Sequence, residues 1–193
     1  MNERASQSGF SLIELLVAVV VFSIGLLAVA GLQTVSKRAN FEGLQRTTAS
    51  HISQGLLEDM RTNGLGMDVY LASADLGGTQ IAAEPAPNCS SMATECNAAQ
   101  KAAHDLWFWE QALDGTQVTG AEGAAGGIVT PTMCIVGPPG GGAGIYVVTI
   151  VWRGIVSMSS ANPNACGAGS GTYGDNDEFR RIVSVPTFID PSI

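Results

Sequence analysis

The sequence predicts an α+β protein: a long N-terminal helix, one half membrane-spanning and the other amphipathic, packed on a small antiparallel sheet near the C-terminus. Three observations lead there. Residues 10–32 read FSLIELLVAVVVFSIGLLAVAGL, with Glu14 as their one charge. The next thirty or so residues keep an apolar stripe at helical spacing, and the last third turns to β-branched and aromatic runs separated by glycine, proline and asparagine.

The apolar run is long enough to cross a hydrocarbon core, which needs roughly 20 residues. A cleaved secretory signal would have a shorter core of about 7–15 residues, a clearly basic preceding stretch and a small-residue cleavage site. Here residues 1–9 carry only Arg4 against Glu3. Glu14 stands out because an ionised carboxylate in hydrocarbon is costly and by default functional. No basic side chain lies between Arg4 and Lys37, so a neutralising cation has to come from another molecule or from a newly created N-terminus. Gly25, Ala28 and Gly31 recur at every third position, a spacing that lets lipid-bound helices approach closely.

Gly9-Phe10-Ser11-Leu12-Ile13-Glu14, at the head of this helix, resembles the processing signature of type IV prepilins and pseudopilins. The resemblance implies that a prepilin peptidase cuts after Gly9 and that the new N-terminal Phe10 is N-methylated. It further implies that Glu14 pairs with the N-terminal amine of a neighbouring subunit during assembly, which supplies the missing cation, since a buried charge is tolerated when paired. Lys37 and Arg38 flank the far end of the span, and counted alone they favour the opposite topology. The cysteines, which call for an oxidising side, and the signature, which needs a cytoplasmic leader, override that count.

Beyond the span, Leu44, Thr48, Ile52, Leu56 and Met60 recur every fourth residue, and Asn63-Gly64 is a stop signal. A continuous helix over 10–62 would be about 80 Å long at 1.5 Å per residue. His51 falls on its polar side. GGTQIAAEPAPNCSS reads as loop, and 97–113 as a second helix with Ala98, Ala102, Leu106, Trp109 and Leu113 on one face. Trp107, Phe108 and Trp109 read there as core and docking groups. GGIVTPTMCIV, GIYVVTIVWRG and RRIVSVPTFI read as three strands. In the middle one, Tyr146, Val148, Ile150 and Trp152 alternate with Val147, Thr149 and Val151, so both faces are apolar and one should cover the long helix. The chain thus divides into a leader 1–9, a transmembrane half-helix 10–32, an amphipathic half-helix 33–63 and a globular head 64–193.

A charged fraction of 13% and a net charge of -8 match nucleic acid phosphate poorly, so no nucleic-acid partner is expected. Cys89, Cys96, Cys134 and Cys166 lack the C-x-x-C or clustered Cys/His spacing of a zinc site and read as disulfides of an oxidising compartment. Four cysteines allow three connectivities. Cys89 with Cys96 and Cys134 with Cys166 is favoured, since the first pair shares a short loop and the second brackets a candidate hairpin.

Enzyme signatures fail one by one, and neither a catalytic residue nor a cofactor or metal is expected. The Pro138-Pro139-Gly140-Gly141-Gly142 loop lacks the Gly-Lys-Ser/Thr ending of a phosphate cradle and leads into a strand. Asp175-Asn176-Asp177-Glu178 lacks calcium-loop spacing and reads as a solvated turn. His104-Asp105 has no nucleophile to serve, and no Gly-x-Ser-x-Gly or His-Glu-x-x-His occurs.

Within the prepilin class the chain resembles the type IV pilus modification proteins, the PilV-type minor pilins. The FSLIELLVAVVVFSIGLLAVAGLQ stretch, Asp105-Leu106-Trp107, the strand ending in Val151-Trp152 and the cysteines on either side of that strand carry the likeness. Gly31 stands where many major pilins have a helix-bending proline. The resemblance implies a pilin-like fold and an accessory role in pilus assembly and initiation, with effects on twitching motility and adhesion. It implies prepilin peptidase, major and minor pilin subunits, the inner-membrane assembly machinery and the membrane as partners. The protein would sit in the inner membrane as a single-pass chain with its head in the periplasm, then at the pilus and cell surface. A minor pseudopilin of a type II secretion system is the alternative within the class. A different alternative is an adhesin on a pilin stem, with the glycine-rich loops 137–144 and 167–174 as its binding surface.

Overall fold

The computed structural model describes residues 9–73, 75–91, 94–120, 123–124, 126–158 and 163–192. Apart from Gly9, the expected leader lies outside them. The chain divides into two compact units, Met1–Phe41 and Glu42–Ile193, and helix α1 (Leu12–Thr62) contributes to both.

In the first unit the described residues are three non-helical ones, 9–11, followed by the N-terminal part of α1, and every one of them is exposed. Its strongest 18-residue window has a mean hydropathy of 2.8, so by length and composition the helix can cross a membrane.

The second unit is an α+β head in which the C-terminal part of α1 packs on a three-stranded antiparallel sheet of order β3-β4-β5. A short 3₁₀ turn, Gly64–Gly66, leads from α1 to α2 (Met67–Ala72), and α3 (Ala98–Asp114) follows a long connection. A two-residue hairpin, β1 (Thr119–Gly120) with β2 (Gly123–Ala124), precedes the sheet strands β3 (Thr132–Val136), β4 (Gly144–Arg153) and β5 (Arg180–Ile189). The register pairs Cys134 with Thr149 across β3–β4, and Ile150 with Val183 across β4–β5.

Alternation along β4 sends Tyr146, Val148, Ile150 and Trp152 into the main core with Ala49, Ile52, Leu56, Leu57 and Met60 of α1. The opposite face of β4 is covered too. Val151 lies in a smaller cluster with Cys166 and Tyr173, against Cys134 and Ile182. Two disulfides, Cys89–Cys96 and Cys134–Cys166, are present, and the second holds the segment around Cys166 on the centre of β3. Covered on both faces, β4 can be apolar on both.

The every-fourth-residue stripe in α1 needs correction at its N-terminal end. Leu44 is 62% exposed, whereas Gln45 and Ala49 are buried. A strict four-residue series drifts about 40° per step around a helix with 3.6 residues per turn, so by Leu44 it has left the face marked by Met60. The buried face instead mixes three- and four-residue steps, through Gln45, Ala49, Ile52 or Ser53, Leu56 or Leu57, and Met60.

Helix α3 runs one residue beyond the predicted 113 and is closed by local chemistry at both ends. Asn97 accepts from the Gln100 backbone N–H at 2.9 Å, and Gln100 Oε1 accepts from the Asn97 N–H at 3.0 Å, a reciprocal capping box. At the other end Gly115, at φ 77°, takes the left-handed conformation that glycine adopts without a Cβ penalty. Of the three consecutive aromatics only Trp109 packs on the core. Phe108 is 40% exposed and meets the Trp109 ring edge-on, and Trp107 rests against the His104 ring. Three neighbours on a helix point 100° apart, so they cannot share one buried face.

Candidate functional site

In the first unit, Gly9 and Phe10 lie outside regular secondary structure and are exposed. A Cβ at Gly9 would meet nothing within 4 Å, and Phe10 is 89% exposed. The helix starts just behind them, where the Ser11 carbonyl accepts from the backbone N–H groups of Glu14 and Leu15 at 3.1 and 3.2 Å. Glu14 therefore lies in the first turn, where the positive end of the helix dipole favours a carboxylate. Its side chain has no hydrogen-bond or ion-pair partner among the described residues. A peptide bond that is free of secondary structure, followed at once by a helix whose first turn carries an unpaired acid, suits both proteolysis and pairing with an external cation.

The second unit holds a set of buried polar groups around α3. Glu110, fully buried, accepts from the backbone N–H groups of Gly77 and Gln80 at 2.8 Å and of Ile81 at 2.6 Å. One turn on, Asp114 accepts from Gly78 and Thr79 at 2.9 and 2.7 Å. Two carboxylates thus hold five successive backbone donors of the 77–81 segment against the helix. Composition had marked that segment only as loop. The signal for Glu110 was readable: it stands four residues after Leu106 and three before Leu113, on the core face, where an acid has to be compensated.

His104-Asp105, the charge-relay look-alike, separates in space. Asp105 accepts from Tyr70 Oη at 2.5 Å and from Lys101 Nζ at 2.7 Å, while His104 Nε2 stands 3.3 Å from Glu84 Oε1. Burial, together with the hydrogen bond to Asp105, pushes the Tyr70 hydroxyl well above its ordinary pKa, so it is a neutral donor. Both residues tie loops and helices together. Asp177 accepts from the Gly169 N–H and pairs with Arg180, and Glu178 accepts from the Asn176 N–H, so these carboxylates brace their own turn.

The glycine-rich loops are also tied into the head. Tyr146 Oη donates to the Gly142 carbonyl at 2.8 Å, and Tyr173, buried between the second loop and the sheet, shares a 2.7 Å hydrogen bond with Thr132. Cys89 and Cys96 close a short loop ahead of α3.

A helix that starts behind an open Gly-Phe bond, is apolar and long enough to cross a membrane, and runs on into a disulfide-braced α+β head defines a pilin-like class of protein. Residues 4–30 match the prokaryotic N-terminal methylation motif, and residues 31–107 match the family of type IV pilin Tt1218. No curated protein and no solved structure matches the chain. The chain is a type IV pilin-family protein. The two matches abut and end within α3, so the sheet lies outside both.

Proposed function

We propose that this protein is a minor pilin of a type IV pilus that acts in pilus assembly and initiation, with effects on twitching motility and adhesion. The single observation that carries the reading is the Gly9-Phe10 bond standing open before an exposed apolar helix whose first turn holds the unpartnered Glu14. In this reading prepilin peptidase cuts after Gly9, Phe10 is N-methylated, and Glu14 pairs with the amine of a neighbouring major or minor subunit. Residues 1–9 form a cytoplasmic leader, 10–32 span the inner membrane, 33–63 are the amphipathic half of the helix and 64–193 the periplasmic head. The disulfides fit that compartment. Gly31 lies inside an unbroken helix, where a proline would bend it, and this favours an accessory subunit.

The match to a type IV pilin family supports the pilus over a secretion pseudopilin. The hydrogen bonds that tie down loops 137–144 and 167–174 give them a structural role, which weakens the adhesin alternative.

Intact mass and N-terminal sequencing of the membrane-extracted protein, with and without prepilin peptidase, test the reading. A mature chain that begins at methylated Phe10 only in the presence of the peptidase is expected. An uncut leader in both strains would overturn it.

A further inference from the structure

We propose that the groove between α2, α3 and the 73–85 segment is a binding site for a small organic cation, an ammonium group on an alkyl or arylalkyl body. The groove, open to solvent, has a volume of ≈ 580 Å³, within the range of about 300–1,000 Å³ typical of small-molecule sites. Its floor is apolar: Leu76 and Leu106 are buried core residues, and Val69 and Ile81 pack against the core beside them.

The charged groups lining the groove are two carboxylates, Asp68 and Asp75, and none of its lining residues is lysine, arginine or histidine. Both are exposed, and neither has a hydrogen-bond or ion-pair partner among the described residues. Several other carboxylates of the head are engaged: Glu42 by Arg181 and the Ile155 N–H, Asp59 by Trp109, Asp105 by Lys101 and Tyr70, Glu110 and Asp114 by the 77–81 backbone. Asp68 and Asp75 keep their acceptor capacity for something else.

The backbone donors of the 77–81 wall are occupied, and among its side chains the Gln80 amide is left as a neutral polar group. Each backbone N–H from Gly77 to Ile81 is bound by Glu110 or Asp114, and Ser73 Oγ donates to the Tyr70 carbonyl at 2.7 Å. A ligand therefore meets apolar surface, two carboxylates and one neutral amide, with no cationic group to hold a phosphate, a carboxylate or an acidic sugar. A ligand with an apolar body and one cationic head matches both halves. The same carboxylate clamp keeps the wall in place before binding, which lowers the ordering cost. The net charge of -8 adds a long-range attraction for cations.

The test uses the full-length protein in non-ionic detergent micelles, with methyl-detected NMR of Val69, Leu76, Ile81 and Leu106. Three probes share one body: phenethylammonium, 2-phenylethanol and 3-phenylpropionate. Saturable shifts at these methyl groups with phenethylammonium, and weaker ones or none with the other two, are expected. The double variant Asp68→Asn/Asp75→Asn, at exposed positions, should bind phenethylammonium about three- to tenfold more weakly. An Ala103→Phe variant, which fills the groove, should lose binding with the carboxylates intact. Equal response to all three probes, absence of saturable shifts with the amine, or undiminished binding by the double variant would overturn the proposal.

Discussion

The indole of Trp109 on α3 lies directly over Gly55 of α1, and its Nε1 donates to Asp59 Oδ2 at 2.7 Å one turn further along that helix. A Cβ built on Gly55 would stand 2.2 Å from the ring, closer than any real contact allows. Two helices far apart in sequence thus meet through an absent side chain and one hydrogen bond. Burial holds the Asp59 carboxyl above the usual carboxylate range, and the indole hydrogen bond opposes that rise.

Gly55→Ala should therefore destabilise the head by about 1–3 kcal/mol, the usual cost of overpacking. Gly43, also in α1, has open space where its Cβ would go, and Gly43→Ala should be neutral or stabilising by up to about 1 kcal/mol. Urea unfolding followed by tryptophan fluorescence compares the two. Equal effects would mean that the Trp109 contact does not constrain the helix.

Glu110→Gln replaces an acceptor of three N–H groups with an amide that brings a donor of its own. The loss should be about 2–4 kcal/mol, since a buried donor without its partner costs about 1–3 kcal/mol. Amide hydrogen exchange at Gly77, Gln80 and Ile81 should speed up before global unfolding. Unchanged protection there would contradict the clamp.

The two disulfides should differ in weight. Cys134–Cys166 spans 32 residues and Cys89–Cys96 spans 7. On loop-closure entropy the double serine replacements should cost about 3–4 and about 2–3 kcal/mol respectively. The longer bridge also holds the cover over the outer face of β4, so its removal should bare Val151 and Tyr173. Dye binding to newly exposed apolar surface would register that change in one variant and not the other.

All three tyrosines, Tyr70, Tyr146 and Tyr173, are fully buried in the head, and desolvation raises each hydroxyl above its ordinary value of 10.0. The unfolded chain releases these protons first, so the stabilisation is fully present below pH 10 and is lost as pH rises towards the folded-state values. Tyrosinate absorbance should stay low at pH 10–11 while the head is folded, and the urea midpoint should fall over that range. Ordinary titration near 10 in folded protein would be inconsistent with this burial.

Glu14→Val removes the unpaired acid and leaves the Gly9-Phe10 bond untouched. The variant should be processed and membrane-inserted yet fail to join filaments, as read by fractionation of sheared pili. Normal incorporation would remove the proposed pairing.

The sequence by itself determined the elements whose signals are local. Twenty-odd apolar residues with one acid mark a helix able to cross a membrane, because hydrocarbon tolerates little else. β-branched and aromatic richness in 144–153 marks β4 because such side chains suit a pleated surface, and turn residues punctuate the three sheet strands. The Gly9 to Glu14 signature was readable for the same reason, as six consecutive residues.

What only the tertiary structure decided lies between distant segments. The exposure of Leu44 in place of Gln45 depends on helical phase relative to the sheet. The six-residue α2 is too short to carry a periodicity of its own and stands on the burial of Met67 and Tyr70. Which donors compensate Glu110 became evident only once Gly77, Gln80 and Ile81 were seen around it, and the role of Gly55 only beneath Trp109. Such contacts join residues 29 to 54 positions apart, and no local pattern encodes which backbone donor a buried carboxylate will find.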